Sequence, residues 1–329
     1  RSVSRGLGDV YKRQLLDEMK IDYIEAGNPG SNPKDMEFFK LIKTIDLKHS
    51  KVVAFGSTRR PNIKVEDDKN LKDLLSAECD TVVVFGKSWD FQVTDIIKTT
   101  LDENLEMIKD TIKYLSDKGK KVIFDAEHFY DGFKANKEYA MSTVKSAEEN
   151  GAMAVVLCDT NGGMLPEEIA SITKFVRSQV DIEIGIHSHN DMGMAVANSI
   201  VAVQSGANQV QGTFIGIGER CGNANLSSII PILKLKLNYD VLGNNELGEL
   251  TKTARAISEI CNITLEDQSP FVGNSAFAHK GGMHIDAVTK SPKSYEHIDP
   301  KLVGNKRRFL VSEVSGKSTI SVSYTHLRA

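Results

Sequence analysis

Short apolar, β-branched runs alternate with longer segments of helical apolar spacing from residue 21 to residue 214. This alternation is typical of parallel strands joined by crossover helices. Seven strands are predicted, at Ile21–Ala26, Lys51–Gly56, Thr81–Phe85, Lys121–Ala126, Ala154–Cys158, Ile182–His187 and Gln209–Phe214. Crossover helices are predicted between them, among others at Leu101–Lys118, Lys137–Asn150, Pro166–Gln179 and Met192–Ser205.

The strand count is one short of a closed barrel. Eight strands remove every sheet edge, whereas seven leave an open seam of unpaired backbone groups. Leu15–Lys20 has the pattern of a helix that leads into the first predicted strand, so we expect the missing strand before it. The predicted fold class is α/β, a (β/α)8 TIM barrel that lacks its first strand and is followed by a smaller helical and irregular subdomain. A doubly wound open sheet is the alternative, although no Gly-rich phosphate loop follows any predicted strand.

The pattern divides the chain into four parts. Residues 15–236 form the predicted barrel, with strands two to eight, and residues 237–321 form the post-barrel subdomain, which begins with a predicted helix at Asn245–Cys261. Residues 1–14 show no helix or strand period, and residues 322–329 follow without a turn or cap signal. Both ends resemble translated adapter sequence, and a disordered tail is the alternative.

Polar side chains collect on one face of the predicted strands. Successive side chains of a strand point to opposite faces, so the isoleucines before His187 share the face opposite to His187 and His189. Buried polar groups without partners cost a few kcal/mol each, and barrel active sites lie at the carboxyl ends of the strands. We therefore expect the polar face to line the lumen. Its members are Asp125, Glu127, His187, His189, Gln209, Gln211 and Thr213.

The strongest single signal is the pair His187 and His189. Two imidazoles two residues apart on a strand share a face and can bind one divalent ion, with Asn190 or Asp191 orienting a ring. Two hydrogen-bonded histidines that line a pore are the alternative. Imidazole and oxygen ligands without a thiolate suit zinc, manganese or magnesium, and the residues do not choose among them.

A Gly-rich loop follows the last predicted strand, from Gly216 to Asn225. Its glycines permit a close backbone approach, and Asn223 offers a carbonyl oxygen near the strand that ends in the histidines. This loop either completes the metal site or is only a turn.

Composition narrows the range of partners. The 41 basic and 44 acidic residues leave a formal charge of -3, which gives no electrostatic footprint for nucleic acid or an anionic membrane. Small molecules or other copies of the chain are the expected partners.

No apolar run approaches the roughly 18 to 20 residues that span a bilayer. The cysteines are too far apart for a disulfide framework or a CxxC metal site, which favours a reducing compartment and a cytoplasmic location. They are Cys79, Cys158, Cys221 and Cys261.

Several motifs together resemble the citramalate synthase branch of the 2-isopropylmalate and homocitrate synthase family. They are Gly-Ile-His187-Ser-His189-Asn-Asp, Gly-Glu-Arg-Cys-Gly-Asn223-Ala-Asn, Asp125-Ala-Glu127-His-Phe-Tyr-Asp-Gly, Leu-Cys-Asp159-Thr160-Asn-Gly-Gly and Phe277-Ala-His279-Lys-Gly-Gly-Met-His284. The resemblance runs from about Leu15 to Ile320. Phe55-Gly-Ser-Thr-Arg-Arg60-Pro and Tyr295-Glu-His-Ile-Asp-Pro are closer to this branch than to the isopropylmalate synthases proper.

The resemblance implies an acyltransferase that condenses acetyl-CoA with pyruvate or a similar 2-keto acid, in branched-chain amino-acid biosynthesis. It implies a divalent metal (Mg, Mn or Zn), acetyl-CoA as co-substrate and a homodimer in the full-length protein. The implied metal ligands are His187, His189 and Asn223. The implied catalytic residues are Glu127, His284 and Tyr295, and the implied substrate-binding residues are Thr160, Asp125 and Arg220. Thr160 could instead cap a helix, and His279 is expected to be a structural histidine.

One family motif is missing. The first strand of the family carries Asp-Thr-Thr-Leu-Arg-Asp-Gly, which supplies a metal-binding aspartate and a catalytic arginine, and residues 1–14 contain nothing similar. We therefore expect the chain as written to be inactive. Other possible functions are a 2-isopropylmalate or homocitrate synthase, a carbon–carbon lyase like hydroxymethylglutaryl-CoA lyase, and a catalytically silent assembly or regulatory subunit.

Overall fold

The computed structural model describes residues 7–31 and 33–310. The chain divides into two compact units. The first is Ile21–Asn225, and the second combines the described parts of Arg1–Lys20 and Leu226–Ala329. No helix in the described ranges has both the length and the hydropathy needed to cross a membrane. The four-part division expected from the sequence stays a prediction, and its segment 322–329 lies outside the described residues.

Parallel strands form the sheet of the first unit. They are β1 (Tyr23–Glu25), β2 (Lys51–Ser57), β3 (Thr81–Lys87), β4 (Lys121–Glu127), β5 (Ala152–Asp159), β6 (Glu183–Ser188) and β7 (Gln209–Gln211). The seven strands pair in chain order from β1 to β7. This order confirms the barrel-type prediction, because a doubly wound sheet reverses its strand order at a switch point. No eighth strand pairs with this sheet among the described residues, as expected.

The strands of the first unit alternate with helices. These are α2 (Pro33–Ile42), α3 (Lys69–Ser76), α4 (Leu101–Asp117), α5 (Phe129–Ala135), α6 (Lys137–Glu149), α7 (Pro166–Arg177) and α8 (Ala195–Gln204), with α1 (Leu7–Glu18) in the second unit. A π-helical turn at Gln92–Ile96 and short 3-10 turns at Val65–Asp67 and Phe214–Gly216 complete the first unit. Capping explains two of the starts, because Thr100 accepts a hydrogen bond from the backbone of Glu103 and Asn136 from that of Tyr139.

Two separate apolar layers cover the two faces of the sheet. The outer layer packs strand residues such as Phe124 and Leu157 against helix residues such as Ile112. The inner layer lies in the lumen and contains Val53, Val83, Ile123, Ala154, Val156 and Cys158. The polar residues of the same sheet face lie beyond this inner layer, toward the carboxyl ends of the strands.

The second unit is mostly helical. Besides α1 it contains α9 (Leu226–Leu235), α10 (Asn244–Gly248), α11 (Leu250–Cys261), α12 (Gly282–Lys290), the two-residue strands β8 (Ala278–His279) and β9 (Arg308–Phe309), and 3-10 turns at Pro292–Ser294 and Pro300–Val303. The prediction of a single helix at Asn245–Cys261 is wrong, because α10 ends at Gly248 and α11 begins at Leu250, with Glu249 between the two helices. A Cβ atom on Gly304 would lie 2.1 Å from the carbonyl oxygen of Gly248, so another backbone segment packs directly against the break.

Two further boundaries differ from the sequence prediction. The last strand of the sheet is predicted to continue to Phe214 but ends at Gln211, and Phe214 already belongs to the 3-10 turn Phe214–Gly216. The helix that precedes β1 begins at Leu7, earlier than the predicted start at Leu15.

Candidate functional site

A polar cavity opens at the carboxyl ends of the strands of the first unit. Its volume of about 240 Å³ far exceeds that of a single water molecule. The lining side chains are Glu25, Phe55, Phe85, Asp125, Glu127, Cys158, Thr160, His187, His189 and Gln211. Five of the seven residues of the expected polar face line this cavity, and Gln209 and Thr213 do not. The five are Asp125, Glu127, His187, His189 and Gln211.

His187 and His189 converge in this cavity. His187 is on β6 and His189 follows it, and their Nε2 atoms are 3.4 Å apart. Burial lowers the pKa of His187, and it lowers the pKa of His189 to about 4 with help from the neighbouring His187. Near neutral pH both rings are therefore uncharged, which is the state that binds a metal ion.

Asn223 joins the histidines through a backbone bridge. It pairs with His189 in an isolated antiparallel bridge, and the N–H of Asn190 donates to the carbonyl of Gly222 at 2.9 Å. The side-chain Nδ2 of Asn223 donates to the carbonyl of Ile217 at 3.3 Å. The other end of the amide, Oδ1, is buried without a hydrogen-bond partner.

Gly222 allows this loop to close. Its φ is +91°, and a Cβ atom at this position would lie 2.0 Å from the carbonyl oxygen of Gly216. Any other residue here would push the two strands of the loop apart and move Asn223 with them.

The donor atoms fit a divalent cation. Two neutral imidazoles with converging nitrogens and one buried amide oxygen without a partner are ligands that Zn²⁺, Mn²⁺ and Mg²⁺ accept to different degrees. Within residues 7–31 and 33–310, no three His, Cys, Asp or Glu side chains group into a metal site. His187, His189 and the oxygen of Asn223 therefore stay the predicted ligands.

Two carboxylates of β4 face the same cavity but differ in their neighbours. Glu127 forms an ion pair with Lys87 at 2.6 Å, with side chains that are 24% and 18% exposed. Asp125 is buried and accepts a hydrogen bond from Nε2 of Gln211 at 2.9 Å. Burial, and after it the charge of Glu25, raises the pKa of Asp125 well above its usual range.

Thr160 follows β5 and borders Glu127 through the backbone. Its hydroxyl oxygen accepts the backbone N–H of His128, the residue that precedes α5, at 2.8 Å. The hydroxyl proton is therefore available to an acceptor in the cavity.

Arg220 does not line the cavity and binds two partners, Asp191 and the cavity residue Thr160. Its guanidinium donates to both oxygens of Asp191, at 2.8 and 3.0 Å, and to the carbonyl of Thr160 at 2.6 Å. The side chain is 43% exposed. It thus holds the segment after the histidines against the segment after β5.

The remaining predicted residues belong to the second unit. The rings of His284 and Tyr295 stack with their centroids 4.1 Å apart. His279 instead contacts the carboxylate of Glu296 at 3.1 Å, and Arg307 binds the same carboxylate. This arrangement agrees with the expected structural role of His279.

Sequence reasoning missed Lys87 and Glu25 and gave Gln211 no role. The alternation of side chains along a strand was a usable signal. Glu25 ends β1 on the same face as Tyr23, and Lys87 ends β3 on the same face as Phe85, which lines the cavity. The contacts themselves follow from the register between strands, in which Lys87 pairs with Glu127 and Gln211 with His187.

Comparisons with known proteins agree with this architecture. Residues 12–257 match the family model described as HMGL-like, and residues 271–328 match the homocitrate synthase post-HMGL domain-like model. A hydroxymethylglutaryl-CoA lyase structure from Bacillus subtilis superposes with a TM-score of 0.64 at 18% identity, over 80% of this chain and 90% of that chain. At this identity the superposition shows the fold alone.

Sequence relatives are closer. The (R)-citramalate synthases of Aquifex aeolicus and Geobacter sulfurreducens are 55% and 51% identical, each over 93% of this chain and 58% of their own length. The chain thus spans just over half of these relatives. A homocitrate synthase of Methanopyrus kandleri is 34% identical over 93% of this chain and 74% of its own length. From its fold, its cavity and these matches, the chain belongs to the HMGL-like family.

Proposed function

We propose that the protein is a citramalate synthase-type acyltransferase, which joins the acetyl group of acetyl-CoA to the keto carbon of pyruvate or a similar 2-keto acid. The observation that carries the proposal is the cavity lined by two neutral imidazoles and the paired carboxylate of Glu127. Asn223, whose amide oxygen has no hydrogen-bond partner, bridges to the backbone of His189 beside it. The identity of this chain to the (R)-citramalate synthases, 55% and 51%, supports pyruvate as the substrate over other keto acids.

His187, His189 and Asn223 would hold the divalent cation, which is Mg, Mn or Zn. When bound, such an ion supplies Lewis-acid polarisation of the keto carbonyl. The proposed role of Thr160 is to donate its free hydroxyl proton to the substrate carboxylate. Arg220 is proposed to fix the backbone of Thr160, and Asp125 to act near the substrate.

Glu127 is the proposed base. It would take a proton from the methyl group of acetyl-CoA, after which the carbanion bonds to the keto carbon, the π electrons of the carbonyl move to the keto oxygen and that oxygen takes a proton. Water would then hydrolyse the thioester, which releases CoA and leaves a carboxylate. Lys87 holds one carboxylate oxygen of Glu127 at 2.6 Å, which fixes the direction of the other oxygen. His284, stacked on Tyr295, is the proposed acid–base partner from the second unit. We further propose a cytoplasmic, homodimeric protein.

The test is CoA release by the protein translated from the complete reading frame, with acetyl-CoA and a panel of 2-keto acids. We expect pyruvate to give the highest kcat/KM. The Glu127→Gln variant should lose about 10²- to 10⁴-fold in kcat. The matched control is Glu183→Gln, since Glu183 is exposed at the amino end of β6 and should not affect turnover.

Three results would point elsewhere. Preference for a longer keto acid indicates a 2-isopropylmalate or homocitrate synthase. Cleavage of hydroxymethylglutaryl-CoA without condensation indicates a lyase. Neither reaction together with no metal uptake indicates a silent assembly or regulatory subunit.

A further inference from the structure

Gln211 links Asp125 to the first histidine of the pair. It is half-buried on β7, directly opposite His187 in the register of β6 and β7. Its Nε2 lies 2.9 Å from Oδ1 of Asp125, and its Oε1 lies 2.9 Å from Nδ1 of His187. One amide therefore uses both of its ends within the cavity.

With the amide in this orientation, the direction of each hydrogen bond follows. The amide nitrogen can only donate, so it faces the carboxyl oxygen of Asp125, and the amide oxygen can only accept. The nitrogen of His187 that faces this oxygen must then carry the proton. A neutral imidazole has one proton, so the other nitrogen, Nε2, keeps its lone pair.

The lone pair on Nε2 of His187 lies on the side of the ring that faces His189. Nε2 of His187 is the atom that lies 3.4 Å from Nε2 of His189. The opposite tautomer would place a hydrogen atom on the nitrogen that is to bind the cation. The tautomer of His187 therefore decides whether the two rings offer converging lone pairs.

We propose that Gln211, oriented by Asp125, is a positioning residue that holds His187 in the Nδ1–H tautomer and reserves Nε2 as a donor atom. The cation in this inference rests on the proposed function, whereas the tautomer does not. Gln211 thereby gives Asp125 a second task, behind the histidine.

The test is the tautomer of His187 in the metal-free chain, measured by long-range ¹H–¹⁵N correlation spectra of ¹⁵N-histidine-labelled protein near neutral pH. We expect Nδ1–H in the wild type and loss of this single form in Gln211→Leu. Gln209→Leu, on the same strand two residues earlier, is the matched control and should change nothing.

Zn²⁺ titration by calorimetry provides a second measurement. Gln211→Leu should weaken Zn²⁺ binding by about 10- to 100-fold relative to the wild type and to Gln209→Leu. A wild-type His187 protonated on Nε2, or unchanged tautomer and affinity in Gln211→Leu, would overturn the inference. A wild type that takes up no Zn²⁺ would contradict the proposed cation site, and the spectra would then decide the role of Gln211 alone.

Discussion

Each unit buries a carboxyl group that is linked to a histidine, Asp125 through Gln211 in the first unit and Glu296 directly in the second. Of these two, Glu296 has the more complete set of partners. Burial opposes ionisation of Glu296. However, Arg307 donates to both of its oxygens, at 2.6 and 2.5 Å, and His279 contacts one of them at 3.1 Å. These hydrogen bonds hold the pKa of Glu296 below the ordinary carboxyl range.

Asp125 in the cavity has the opposite surroundings. It accepts one hydrogen bond from Gln211, and the charged groups that act on it are the acids Glu25 and Glu127. Burial and these charges raise its pKa. A buried carboxyl with complete pairing stays ionised, whereas one with incomplete pairing and a raised pKa is typical of a site that a ligand completes.

The largest expected effect is that of Glu296→Leu. It leaves the guanidinium of Arg307 without its carboxylate, and we expect a loss of about 3 kcal/mol in the free energy of unfolding, measured by urea denaturation. Because the pKa of Glu296 is lowered, its stabilisation is present above the ordinary carboxyl pKa and is lost as the pH falls through the lowered value. Glu259→Leu, at an exposed position of α11, is the control. Equal losses in both variants would contradict the comparison.

Asp125→Asn should have a smaller effect of opposite sign. A raised pKa means that the contribution of Asp125 to stability is complete below the ordinary carboxyl pKa and is lost as the pH rises through the raised value. The neutral asparagine avoids this loss, so we expect a gain of about 1 kcal/mol near neutral pH that disappears in acid. The measurement is urea denaturation across a pH series, with the exposed Asp181→Asn as control. A destabilised variant would show that Asp125 is paired as well as Glu296 is.

Arg220→Lys should have the smallest effect. The guanidinium grips Asp191 with two hydrogen bonds, which lysine cannot reproduce, but water reaches both partners. We expect the melting temperature to fall by less than it does in Glu296→Leu, as measured by thermal unfolding. A fall as large as that of Glu296→Leu would mean that completeness of pairing matters more than burial.

Much of this architecture was predictable because strands and helices have different periods. The seven strands, their order and the polar lumen follow from that difference, and side-chain alternation places Asp125, Glu127, His187 and His189 together. Contacts across strands were not predictable, because the pairs Lys87–Glu127 and Gln211–His187 depend on register. The end of β7 was not predictable, because Phe214 is apolar like a strand residue and yet begins a 3-10 turn in which Ile215 is left-handed.

Gly222 has a consequence for how tightly a ligand can bind. Its bare backbone lets the loop fold onto Gly216, and the bridge to His189 and the hydrogen bond to Ile217 hold Asn223 in place. A side chain on a loose segment would lose conformational entropy at the moment of capture, and affinity would fall accordingly. A connecting segment can in this way be as preorganised as the strands that it joins.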